Sequence, residues 1–572
     1  MKENWNLKHL FENENELEKA IQETQKQSEA FKQNYKNKLE MFSCQDFEKV
    51  IKEYEKLLIK VGKIMTYAYL NFASDTSKGS FLAKCENECK QSEENLLFFE
   101  LEFCELNEVK SKEFANNLKE YSFYLNNLLK NKKHKLSQKE ERIILNLSNT
   151  GAQAFSRLFD ESLARLKIPF ENELLSEEEI LSKMSNADRK VRKKAAKAFS
   201  KALEKNAPLL TYIYNMIKTE RASICKLRGF KNAEEPRHLS NQISQNSVDA
   251  LINCTEKNFD LVSKFYKKKK QILGFKTLKD YDRYAPIGKD VSMEFSEAKS
   301  IVLKAFKNFS PAFFNIANEA FEKEWIDIYP KEGKRGGAFS HSATPDTHPY
   351  ILLNYTKKRR DLFTLAHELG HTIHQKLSYN VSYLNQDTPL TTAETASVFA
   401  EMLVFDLLKK ELKKDELIGL YAAKIEDIFA TLYRQINFTT FERKIHAHTE
   451  ELSTKKINEI WMQESKKMFQ DSVILGKRYA SWWSYIPHFI HSPFYCYAYA
   501  YAQLLVLALY GLYKSKKCEN FTELYIKMLS LGGSKDPKEL IGMFGFDIED
   551  KYFWDIGIKE IKKLVDEFME LE

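Results

Sequence analysis

Residues 367–371 read His-Glu-Leu-Gly-His, inside a helical apolar pattern that runs from Asp361 to His374. Residues four apart share one face of an α-helix. His367 and His371 can therefore aim two imidazoles at one divalent ion, and Glu368 between them can reach a water beside it. The chemistry this spacing offers is metal-assisted hydrolysis. Leu362, Leu365, Ala366, Leu369 and Ile373 give the helix an apolar side, so the motif belongs on a buried or half-buried element. Two histidines and a glutamate are costly to bury without partners.

A hydrolytic zinc site needs a third protein ligand and an open fourth position. Metzincin spacing requires Gly at 374 and His at 377. The chain has His374 and Leu377, which excludes that arrangement. A second helix over 391–408, capped by Thr391 or Thr392, offers glutamates instead. Glu394 falls in its expected first turn and is assigned as the third ligand to one Zn²⁺ per chain. Glu401 follows seven residues later on the same face and reads as a carboxylate that orients a ligand imidazole. His374, three residues after His371, is off the ligand position and reads as a supporting or structural residue. Imidazole and carboxylate ligands suit zinc, with Co²⁺ and Mn²⁺ left open.

At this point the chain resembles the oligoendopeptidase F family of zinc metallopeptidases, relatives of thimet oligopeptidase. The likeness is carried by His367-Glu368-Leu-Gly-His371-Thr-Ile-His374 and by Ala393-Glu394-Thr-Ala-Ser397 with Glu401. Gly333-Lys-Arg-Gly-Gly337-Ala-Phe-Ser and His348-Pro-Tyr-Ile-Leu-Leu-Asn354-Tyr355 precede the zinc helix. Ile486-Pro-His488-Phe489 and Phe494-Tyr495-Cys-Tyr497-Ala-Tyr499 follow it. Weaker likeness extends through Arg221 to Asn241 and 137–170. The resemblance implies a mainly α fold, a two-lobed helical shell around a deep substrate channel, with a small β-sheet beside the zinc helix. It implies an endopeptidase that hydrolyses internal bonds of short unfolded oligopeptides. The family usually carries two tyrosines seven apart that hydrogen-bond the developing oxyanion. Tyr497 matches the second, Ile490 stands where the first is expected, and the adjacent His491 can substitute. Tyr497 is the first choice as donor, with His488 or His491 the second; Tyr495 and Tyr499 read as core packing.

In the mechanism these residues suggest, Glu368 takes the proton of a zinc-activated water and returns it to the leaving amine. Gly336, Gly337 and the strand ending at Asn354 are candidates for binding an extended peptide by its backbone. Two alternatives stay open. One is a zinc peptidyl-dipeptidase that trims C-terminal dipeptides, with Arg335 or Arg478 holding the substrate carboxylate. The other is a non-catalytic helical peptide-binding protein that retains a metal site.

The elements that must position these residues are helical. Glycine (18) and proline (12) are scarce in 572 residues, and long capped periods dominate. Ser137 with Glu140 and Ser176 with Glu179 form capping-box signatures. The clearest β region is 325–355, where Trp325–Tyr329 and Tyr350–Tyr355 flank a Gly-rich loop. A zinc helix is expected at about 360–376, and the pattern breaks from Asp282 to Val291. The expected division is an N-terminal helical region, 1–175, and a catalytic region, 176–572.

Hydrophobic content of 43% is that of a globular chain. The net charge of +7 is spread thinly and shows no basic stripe with interleaved aromatics, so nucleic acid is not an expected partner. The partners expected are short peptides. The N-terminus lacks a secretory h-region, and the apolar stretch at 486–512 is broken by His and Pro, so no membrane partner is expected either. Eight scattered cysteines fit free thiols in a reducing cytoplasm.

Overall fold

The computed structural model describes residues 3–288 and 291–571. Lys289 and Asp290, within the break expected at 282–291, lie outside them, as do the first two residues of the chain. The fold is mainly α, and its strands are short. Both capping boxes form: Ser137 Oγ accepts from the Glu140 N–H and Ser176 Oγ from the Glu179 N–H, each at 3.4 Å.

The chain divides into two compact units that interleave in sequence. The first comprises Met1–Lys132, Asp290–Glu411 and Ser515–Gly545; the second comprises Lys133–Lys289, Leu412–Lys514 and Phe546–Glu572. One core of the first unit is aromatic, with Phe47 stacked on Phe114 at 4.0 Å between ring centroids. Another gathers Trp5, Ile21 and Ile64 beneath Tyr350 and Leu352.

The second unit holds β1 (Ile168–Phe170) and β2 (Glu173–Leu175), an antiparallel pair. Its longest element is the 39-residue helix Arg189–Leu227. This helix starts beside a fully buried Asp282 that accepts from Arg189 (2.6 Å) and Arg192 (3.2 Å). The helix Cys496–Ser515 is long and apolar enough to cross a membrane, but 89% of its apolar window is buried in the fold. It is a core helix.

The sheet of the first unit sets the functional geometry. β3 (Ile326–Asp327) pairs in parallel with β5 (Tyr350–Leu352), and β4 (Phe339–His341) pairs antiparallel with β5 on its other side. The two expected apolar runs are thus parallel neighbours. The third strand, β4, was not evident from the sequence because Phe-Ser-His lacks an apolar alternation. Its position at the sheet edge leaves its residues half-buried. The Gly-rich loop between β3 and β4 is fixed from beneath. Lys334 donates to Asp327 Oδ1 (2.8 Å) and to the carbonyls of Asp327 (3.2 Å) and Tyr329 (2.8 Å). Gly333 there has φ +76°, a left-handed conformation that favours glycine.

Candidate metal centre and active site

The helix carrying His367 and His371 spans Arg359–Ser378. Asp361 starts it by accepting from the backbone N–H of Thr356 (2.6 Å) and Lys358 (3.1 Å). Its negative charge also suits a helix N-terminus. Gly370 then decides how closely the next helix can pack. A Cβ there would lie 2.5 Å from Ser397 Cα and 2.6 Å from the Ala396 carbonyl oxygen. Only glycine permits this approach, and the approach delivers both glutamates.

Glu394 is not in the first turn of a helix that starts at Thr391 or Thr392. Pro389 leads a short helix, Leu390–Ala393, and Glu394 occupies the break before the helix Thr395–Glu411. From this break its Oε2 lies 3.2 Å from His367 Nε2 and 3.3 Å from His371 Nε2. Donors held about 2.0–2.1 Å from a tetrahedral zinc are about 3.3–3.4 Å apart. The donor set His, His, carboxylate and its spacing therefore fit a single Zn²⁺. Ser397 Oγ donates to Glu394 Oε2 at 2.6 Å and fixes that carboxylate. Behind His367, Glu401 Oε1 lies 2.6 Å from Nδ1, which orients the ring with Nε2 toward Glu394.

The electrostatics follow from burial and these contacts. Burial opposes protonation of His367, but the hydrogen-bonded Glu394 and Glu401 outweigh it and lift its pKa well above the imidazole range. Burial likewise opposes ionisation of Glu394, yet His367 and His371 hold its pKa well below the carboxylate range. Glu368 is 6% exposed. Burial raises its pKa, and the neighbouring His367 and His371 offset this only in part. Among the described residues its carboxylate has no hydrogen-bond or ion-pair partner, so its oxygens remain available for a ligand. His374 is buried, and burial pushes its pKa down to about 4, leaving a neutral ring beneath the site.

These groups open into a cavity of about 510 Å³. His367, Glu368, His371, His374 and Glu394 line it on one side, and Ala338, Phe339, Ser340 and Ser342 on and beside β4 line the other. Gln375 ties the two walls together: it accepts from Ser340 Oγ (2.7 Å) and donates to the Ser340 carbonyl (3.1 Å).

The structure does not bring Gly336, Gly337 or Asn354 into this wall. Gly336 and Gly337 are exposed in the loop that leads to β4. Asn354 Nδ2 donates to the carbonyls of Arg335 (3.0 Å) and Gly337 (2.8 Å), bracing that loop.

Tyr497, His488 and His491 belong to the second unit. Tyr497 is 0% exposed there, and its hydroxyl is engaged by His238 Nδ1 and Asn241 Nδ2, both at 2.9 Å. Tyr495 and Tyr499, expected in the core, are the half-buried ones and correct that reading. They flank the half-buried His488, whose Nε2 is 3.3 Å from the Tyr499 hydroxyl. Alternation of core and surface runs opposite to the sequence reading because the helix begins at Cys496 and turns Tyr497 inward. His491 is exposed and pairs with Asp160 at 2.8 Å.

With this geometry in hand, kinship becomes specific. The sequence matches the model of peptidase family M3 over residues 182–560 and that of oligopeptidase F over 102–168. The chain belongs to peptidase family M3. It is a peptidase, and M3 members are generally metallopeptidases. It is 30% identical to the oligoendopeptidase F homolog of Borreliella burgdorferi over 98% of both chains. It is 27% identical to oligopeptidase PepF of Bacillus subtilis over 99% of this chain and 87% of that one. Its fold is similar to that of a Chlamydophila abortus protein described as a peptidase, with TM-score 0.90 at 23% identity, covering 100% of this chain and 98% of the other. Oligoendopeptidase-F of Enterococcus faecium follows with TM-score 0.70 at 20% identity, over 97% and 98%.

Sequence reasoning passed over Gly370 and Ser397 as site residues. Their signals were present: a glycine inside a buried helical motif, and a hydroxyl three residues after the assigned glutamate.

Proposed function

We propose that this M3 peptidase is a zinc-dependent endopeptidase that hydrolyses internal bonds of short unfolded oligopeptides. His367, His371 and Glu394 would hold the ion. Bound there, zinc polarises the scissile carbonyl and lowers the pKa of a water toward about 7. Glu368 accepts the proton of the attacking water and passes it to the leaving amine. Glu401 keeps His367 in one tautomer, and Ser397 keeps Glu394 directed at the two imidazoles. The observation that carries the reading is the convergence of three metal-ligating donors beside a buried glutamate with no protein partner.

The cavity wall on the β4 side supports an extended substrate. β4 is an edge strand, and an edge offers backbone groups to an added peptide strand with little demand on side chains. Gly336 and Gly337 would serve as the bare approach to that edge, with Asn354 holding their loop in place. Trimming of C-terminal dipeptides is less well supported: Arg335 contacts the Tyr69 hydroxyl and Arg478 pairs with Glu204 at 2.6 Å. None of the eight cysteines is in a disulfide and six of them are buried, which supports a reducing, cytoplasmic setting.

The test is an internally quenched peptide blocked at both ends, cleaved by wild type and by Glu368→Gln. Wild type should cut it, and the variant should hold metal while losing turnover. Wild-type turnover in a metal-loaded Glu368→Gln protein would overturn the assignment.

A further inference from the structure

The open edge of β4 is not uniform along its length. The Ile351 N–H donates to the Trp325 carbonyl (2.9 Å) and the Leu353 N–H to the Asp327 carbonyl (2.8 Å), so these two residues turn their backbone groups toward β3. Tyr350 and Leu352 turn theirs the other way, toward His341 and Phe339 of β4. Ser340, opposite Ile351, therefore points its N–H and C=O away from the sheet. Ala338 and Ser342, two residues to either side, follow the same alternation. These outward groups are the ones an added peptide strand would use.

Two side chains, one on the metal helix and one just past its end, already occupy part of that edge. Gln375 Nε2 donates to the Ser340 carbonyl at 3.1 Å, where a neighbouring strand would place a peptide N–H. The amide is held in that orientation because its Oε1 accepts from Ser340 Oγ at 2.7 Å. The same hydroxyl lies 2.9 Å from Oγ1 of the fully buried Thr372. One turn after Gln375, the Tyr379 hydroxyl donates to the Ser342 carbonyl. Ala338 differs. It lines the cavity and is half-buried, and neither its N–H nor its C=O has a hydrogen-bond partner among the described residues. An edge whose outward carbonyls are taken by side chains is closed to further pairing. An incoming strand can thus exchange both N–H and C=O only at Ala338.

We propose that Gln375 and Tyr379 set the length of peptide that β4 reads. A substrate pairs with the strand at Ala338 and leaves it at Ser340, so on one side of the cut no residue beyond that point adds to binding. The proposal rests on the reading of the cavity as the peptidase site with β4 as its substrate edge, and deepens it by naming the residues that limit substrate length.

The test uses peptides blocked at both ends that share one scissile core. They are lengthened by Ala-Gln pairs either before or after it, and the cut bond is identified by mass spectrometry. In wild type, kcat/KM should stop rising with length on one side of the cut. Gln375→Ala frees the Ser340 carbonyl. Tyr379→Phe, made separately, keeps the ring and frees the Ser342 carbonyl. In each variant the longer peptide on that side should gain about three- to tenfold over the shorter one, as one added backbone hydrogen bond would give, while the ratio on the other side holds. Metal content and thermal unfolding report folding of both variants. A purely structural role would change the rates of all lengths together and leave the ratio as in wild type, which overturns the proposal, as does a wild type whose kcat/KM keeps rising on both sides. Failure of wild type to cut any of the peptides would instead overturn the reading of the site itself.

Discussion

Two places in the first unit bury charge, one at the loop between β3 and β4 and one on the metal helix, and they handle it in opposite ways. At the loop before β4, the Lys334 ammonium spends its three donors on Asp327 Oδ1 and two carbonyls, and both side chains are at most 1% exposed. Nothing is left over for a ligand. At the metal centre, one Glu394 oxygen is shared by His367, His371 and Ser397, while the buried Glu368 faces a cavity without a protein partner. Charge that is fully matched holds the fold; charge left open toward a cavity is available for chemistry. The Gly-Lys-Arg-Gly-Gly stretch and the His-Glu-x-x-His stretch look alike in charge density, and only pairing separates them.

The comparison predicts different consequences for the two places. The largest effect should come from Glu368→Gln, which removes the proton acceptor: kcat for a quenched peptide falls by about 10²–10⁴, with melting temperature and metal stoichiometry retained. Lys334→Met should do the reverse. It leaves Asp327 buried with only the partly exposed Lys331 nearby (3.1 Å), and should cost about 3–5 kcal/mol of unfolding free energy, read by urea titration, while metal content per folded chain holds. A stability change in the first variant, or a metal loss in the second, would break the distinction.

Glu401→Gln sharpens it further. Removing the charge behind His367 Nδ1 should weaken metal affinity by about 10- to 100-fold, measured by competition with a chelator, with little change in stability.

The smallest effect concerns His348, whose Nε2 lies 2.7 Å from His9 Nδ1 and whose ring stacks on Trp325 at 4.5 Å. Burial depresses its pKa to about 3 from an ordinary 6.5. The unfolded chain therefore binds this proton more readily than the folded one. The stability contribution is complete above pH of about 6.5 and declines as pH falls toward about 3. Urea midpoints between pH 7 and 5 should drop more steeply in wild type than in His348→Gln; parallel slopes would contradict this.

Much of the centre was legible because helical periodicity ties spacing to direction. His367, Glu368 and His371 needed only the four-residue repeat, and Glu394 and Glu401 only an antiparallel return. What the sequence hid depended on tertiary approach. The break at Glu394 follows Pro389 and interrupts what reads as one continuous helix. Gly370 looks like an ordinary helix residue until the Ser397 backbone is set against it. The edge strand β4 has no apolar alternation because one face lines a polar cavity. Tyr497 and its neighbours alternate between core and surface with a phase set by where the helix Cys496–Ser515 begins, which composition does not encode.

The most direct test of the central claim measures metal content and peptide cleavage on the same samples: protein as purified, protein stripped with a chelator, stripped protein given zinc, and His367→Ala and His371→Ala. Zinc held by His367, His371 and Glu394 predicts one zinc per chain, cleavage lost on stripping and restored by zinc, and neither metal nor cleavage in the two variants. Undiminished cleavage by the stripped protein or by either histidine variant would contradict it.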